Sequence, residues 1–60
     1  MTFTLDPNLT DPDGFYEALL TAHEGLSPED CAAFDARLIF ILANQIGDPA
    51  TLAKALEAAK

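Results

Sequence analysis

His23, Cys31 and Tyr16 are the side chains whose types could support nucleophilic or acid–base chemistry, and each is the single member of its kind in the chain. His23 and Cys31 lie on either side of a short connection, so a thiol–imidazole pairing of the sort that activates a cysteine nucleophile is geometrically conceivable. The spacing is unspecific, since most chains carry some such pair. A small packed thiol and a histidine closing a helix, where a cation suits the helix dipole, account for the same residues. No third group or pocket-forming constellation accompanies them, and the expectation is a protein that is not an enzyme and needs no cofactor.

Metal binding is argued against in the same way. "DPDGFYE" places Asp11, Asp13 and Gly14 at the third, fifth and sixth positions of a calcium loop. The first and twelfth positions then fall on Leu9 and Leu20, where carboxylates are required. His23, Glu24 and Cys31 have neither the number nor the spacing of zinc ligands.

Charge narrows the partners. Eight acids and no Lys or Arg precede Arg37, and the net charge of the 60 residues is −7. Such a surface repels a phosphate backbone and an anionic bilayer alike, so neither nucleic acid nor membrane is expected as a partner. No apolar run approaches the ~20 residues of a membrane span. A lone cysteine cannot form an internal disulfide, and "MTFTLDPN" lacks the basic and apolar regions of a secretion signal. The expected compartment is the cytoplasm.

The elements that must position these residues announce themselves by one repeated device. "TDPDGF", "LSPEDC" and "GDPATL" each put Asp or Ser before Pro at the start of a helix-compatible pattern. Asp11, Ser27 and Asp48 are N-cap residues by type, and Pro12, Pro28 and Pro49 fit the first helical position. Gly25 and Gly47 stand where a left-handed residue would end a helix. The pattern predicts an all-α fold: a small three-helix domain over residues 11–60, with helices at about 12–24, 28–46 and 49–59. Links this short make successive helices antiparallel or steeply crossed neighbours. Residues 1–10 form an extended N-terminal arm. Met1, Phe3 and Leu5 alternate with two threonines, so the arm either lies across the helices or pairs with the edge of another chain.

On the first helix Phe15, Leu19, Ala22 and Leu26, flanked by Tyr16, Leu20 and His23, make a broad apolar stripe. On the third, Leu52, Leu56 and Ala59 make a thinner seam, with Lys54 and Glu57 outside. The middle helix is different. In "ARLIFILANQIGD", residues 38–43 are apolar without interruption. Cys31, Phe34, Leu38, Ile41, Leu42 and Gln45 gather on the side expected to face the core, with Ile39, Ile46 and Asp35 at its margin. The opposite side carries Ala32, Ala33, Ala36, Phe40 and Ala43. A helix apolar all round is normally covered all round, yet two thin helices and an arm are too little to cover this one. Either the arm and third helix wrap over Phe40 or another molecule does, and the second is the expectation. The predicted partner interface is Ala33, Ala36, Arg37, Phe40, Ala43 and Asn44, small residues permitting close approach around one aromatic anchor. Arg37 has a surface ion pair with one of the many acids as its expected role.

The segments "DPDGFYEALLTAHEGLS" and "ARLIFILANQIGD" resemble a family of short bacterial proteins catalogued as a domain of unknown function, over Asp11 to Lys60. The resemblance implies a small soluble bacterial protein with no assigned activity. The uncovered face of the middle helix makes the expected function a small acidic helical protein–protein interaction module that self-associates, as a homodimer. The alternative, taken from the resemblance, is a small accessory subunit of a larger bacterial enzyme such as an oxidoreductase.

Overall fold

The computed structural model describes residues 3–60, and three helices carry most of that length: α1 (Pro12–His23), α2 (Pro28–Ile46) and α3 (Pro49–Ala58). The starts follow the capping chemistry. Oδ1 of Asp11 accepts from the Gly14 backbone N–H at 3.1 Å, and Ser27 Oγ accepts from that of Asp30 at 3.1 Å. Asp48 Oδ2 does the same for Thr51 at 3.3 Å, and also accepts the Thr51 hydroxyl. Each proline sits in the first turn, where its missing N–H breaks no helical bond. The stops are the two left-handed glycines, Gly25 at φ +79 and Gly47 at φ +72, and the Gly47 N–H donates to the Ala43 carbonyl at 2.8 Å.

The three expected helices are present within one residue of their expected ends. They do not close around a core. Among the described residues no apolar side chain is buried, and the buried residue is Thr51, at 7% exposure beside its capping partner Asp48. The side of α2 expected to face inward is covered in its N-terminal half, where Cys31, Phe34 and Leu38 are half-buried, but Ile41, Leu42 and Gln45 stay exposed. The reason lies in the two neighbours. α1 meets α2 at Phe34 and Asp35, whereas α3 lies along Ile39, Leu42, Ala43 and Ile46. At 100° per residue these two sites are roughly a quarter turn apart around the α2 axis. α1 and α3 thus cover different faces at different heights of α2. α2 against α3 is the more extensive of the helix contacts.

The result is an open outline of 36 × 24 × 21 Å with a radius of gyration of 13.2 Å, against about 10 Å for a closed globule of this length. The arm makes little difference: Phe3 is half-buried, whereas Leu5 and Leu9 are exposed. Residues 3–10 form neither helix nor strand, so of the two threonines and three apolar residues that suggested strand alternation, those described are irregular. Met1 and Thr2 lie outside the described residues. No helix among the described residues is long and apolar enough to cross a membrane.

Candidate functional site

His23 closes α1 and joins it to α2. Its Nδ1 is 2.7 Å from the Leu19 carbonyl oxygen and its Nε2 is 2.7 Å from Asp35 Oδ1. Both partners are acceptors, a setting that favours the doubly protonated imidazolium form, in which both ring nitrogens donate. The Leu19 carbonyl first, and then the Asp35 carboxylate, hold its pKa above the ordinary histidine value. The Phe34 ring completes the setting, edge-on to the imidazole with centroids 4.6 Å apart. Both nitrogens are thereby occupied, and neither is left to deprotonate Cys31, which is half-buried on α2. His23 is a clamp across the α1–α2 turn; its place at the end of a helix was readable in the sequence, its bond to Asp35 was not.

A concavity lies at the other end of the molecule. It is a groove of about 590 Å³ between α2 and α3, open to one side. α2 contributes Ile39, Phe40, Leu42, Ala43 and Ile46, and α3 contributes Leu52, Ala55, Leu56 and Ala59. No lining side chain carries a charge or a hydrogen-bonding group, so the groove is built to exclude water rather than to hold a polar substrate. Ile39, Leu42, Ala43 and Ile46 repeat at three, four and seven residues, and Leu52, Ala55, Leu56 and Ala59 repeat the same spacing on α3. Two stripes of this kind make a helix–helix seam.

The seam is closed at one end. Near the Gly47–Asp48 link, Ala43, Ile46 and Leu52 are half-buried. Two turns away, about 10 Å along the axis, Ile39 is 63% exposed and Leu56 69% exposed. Asp48 and Thr51 fasten the closed end. The Thr51 hydroxyl, with the backbone N–H groups of Thr51 and Ala50 and the nearby Lys54 charge, holds the Asp48 carboxyl below its ordinary pKa. Ala43, nearest the link, allows the helices to approach there, whereas Ala55 and Ala59 further along α3 offer too little volume to fill the groove.

Of the six residues predicted for a partner interface, the structure brings Phe40 and Ala43 to the groove. Ala33, Ala36, Arg37 and Asn44 are exposed elsewhere on α2, outside the groove lining. Phe40 stands on the rim with 75% of its surface exposed, covered by neither the arm nor α3. The expected surface ion pair of Arg37 is not formed among the described residues, whose ion pairs are His23–Asp35 and Lys60–Glu57. Gln45, expected to point inward, is exposed. The α3 half of the groove was readable in the sequence as the Leu52–Leu56–Ala59 seam. That it faces Ile39 and Ile46, rather than the Phe34–Leu38 side, depends on the turn at Gly47.

No curated protein and no solved structure matches the chain. A family model described as "Protein of unknown function (DUF2783)" matches residues 3–60, which extends the resemblance noted from Asp11 onward back through the arm. The chain belongs to the DUF2783 family.

Proposed function

We propose that the protein is a small acidic protein–protein interaction module that self-associates through the apolar side of α2, with Phe40 at the centre of the contact. One observation carries this reading: Phe40 is 75% exposed within an unbroken apolar run, in a structure whose described residues bury no apolar side chain. Leaving such a surface in water is unfavourable by about 25 cal/mol for each Å² of apolar area, and association removes the cost. In this reading the chain performs no reaction of its own and acts through what it assembles. Its compartment is the cytoplasm, a placement supported by a single cysteine without a disulfide partner in the chain.

Size-exclusion chromatography with light scattering tests the proposal on the wild-type protein and on Phe40→Asp. The expected result is twice the protomer mass of 6.4 kDa for the wild type at micromolar concentration, and the protomer mass for the variant, with helicity by circular dichroism followed alongside. A wild-type protein that stays at the protomer mass at several hundred micromolar overturns it.

A further inference from the structure

The amount of surface left open and the way charge is divided along the chain together specify how two copies meet. A monomeric protein of 6.4 kDa exposes on average about 3,800 Å². This chain exposes 5123 Å², an excess of about 1,300 Å² on that scale. The excess is spread over the arm, α1 and the hairpin, where Leu5, Tyr16, Ile39, Phe40 and Leu56 are all more than half exposed. The total of about 2,600 Å² that two protomers would bury by covering all of it is therefore an upper bound, one that lies inside the range of obligate homodimers. The open surface is thus large enough to accommodate a second copy.

Charge decides which faces meet. The first 35 residues hold eight acids and no Lys or Arg, so the α1 stripe of Phe15, Tyr16 and Leu20 is flanked by Asp13, Glu17 and Glu24. A two-fold contact through α1 would set like charges on both sides of the same seam, an arrangement that costs affinity and slows encounter. Residues 36–60 hold Arg37, Lys54 and Lys60 against Asp48 and Glu57, a net +1. Of these, Glu57 is paired with Lys60 and Asp48 is engaged by Thr51. The first turns of α2 add Glu29, Asp30 and Asp35, but from Ala36 onward, where the α2–α3 hairpin is most apolar, it is nearly neutral.

We propose, resting on the self-association put forward above, that the α2–α3 groove is filled by the α2–α3 hairpin of a second copy. The pairing is two-fold: Phe40 on the rim of one groove enters beside Leu56 of the partner, and the partner's Phe40 returns the contact. A two-fold axis makes any such contact reciprocal and closes the assembly at two chains. Four helices then share one apolar core of coiled-coil-like spacing, two from each protomer. The groove supplies the hole, wide because Ala43, Ala55 and Ala59 line it, and the exposed ring at its lip supplies the knob. α1 and its acids remain on the outside of the assembly, where repulsion is least.

The test is an isotope-filtered NMR measurement on the unaltered protein, mixing ¹³C-labelled and unlabelled chains, with light scattering on Leu56→Glu and Tyr16→Glu. The expected result is intermolecular contacts from the Phe40 ring to the Leu56 methyls. Leu56→Glu, which places a carboxylate in the contact twice per dimer, is expected to weaken association on the order of a thousandfold. Tyr16→Glu is expected to leave the dimer intact. A dimer whose intermolecular contacts arise from α1 alone, or one dissociated by Tyr16→Glu and untouched by Leu56→Glu, overturns the hairpin pairing while self-association stands. A protomer at every concentration overturns both.

Discussion

Dilution is the perturbation that bears most directly on a chain with no buried apolar side chain among its described residues. At 5123 Å² exposed, the protomer hides about 45% of the roughly 9,300 Å² that an unfolded chain of its mass presents, whereas an independent domain of this length hides about 60%. The protomer is therefore expected to be unfolded on its own, so that association and folding are one transition. The melting temperature of such a dimer depends on concentration by mass action. Two chains of 60 residues, at the usual 0.7 kcal/mol per residue, give an unfolding enthalpy of roughly 84 kcal/mol. With that enthalpy each tenfold dilution lowers the melting temperature by about 6 °C near 60 °C. Circular dichroism at 222 nm, with cell path length adjusted from 5 to 500 μM protein, would show a shift of about 12 °C. A melting temperature constant across that range means the protomer is stable alone, and the case built on its open surface then fails.

Two further outcomes follow from the local geometry. Gly47→Ala forces an L side chain into φ +72, and because its Cβ would meet nothing nearer than the Asn44 carbonyl oxygen at 3.8 Å, the cost is in the backbone alone; a loss of about 1 kcal/mol is expected by urea titration, and an unchanged midpoint would contradict the left-handed stop. The His23 clamp gives a pH dependence whose sign is fixed: with a folded pKa above the ordinary 6.5, its stabilisation is complete below that value and fades as pH rises through the folded one. Melting temperature should fall between pH 5.5 and 8.5 in the wild type more than in His23→Gln, and parallel profiles would remove the clamp from the account. The depressed Asp48 pKa acts in the opposite direction, stabilising above the ordinary carboxylate range and releasing as acid protonates it, so it does not mask the histidine within that window.

What could be read from the sequence was whatever is decided within one turn of chain. Caps at Asp11, Ser27 and Asp48, prolines behind them, and glycines at 25 and 47 each act on hydrogen bonds to near neighbours, and the helices begin and end where those residues put them. The exposure of Phe40 was legible too, because it follows from counting apolar residues against available cover. The distribution of α1 and α3 around α2 was not. Periodicity tells which residues of a helix share a face, but not which neighbour meets that face or at what height. Phe34 and Leu38 share one stripe with Ile41 and Leu42 by spacing alone, yet the His23–Asp35 contact draws α1 to the upper part, while the turn at Gly47 swings α3 toward Ile39 and Ile46. One stripe is thus divided between two partners and fully covered by neither. The same division makes both ends of α2 incomplete in different ways. The α1 end is finished by a charged clamp in an acidic setting, which a second identical chain would repel. The α3 end is fastened at the link by Asp48 and Thr51, but the groove beyond is lined by nothing polar. An open seam with alanine floors and a phenylalanine on its lip leaves water as its alternative occupant, and water is the costliest filling for a surface that offers it no hydrogen bond.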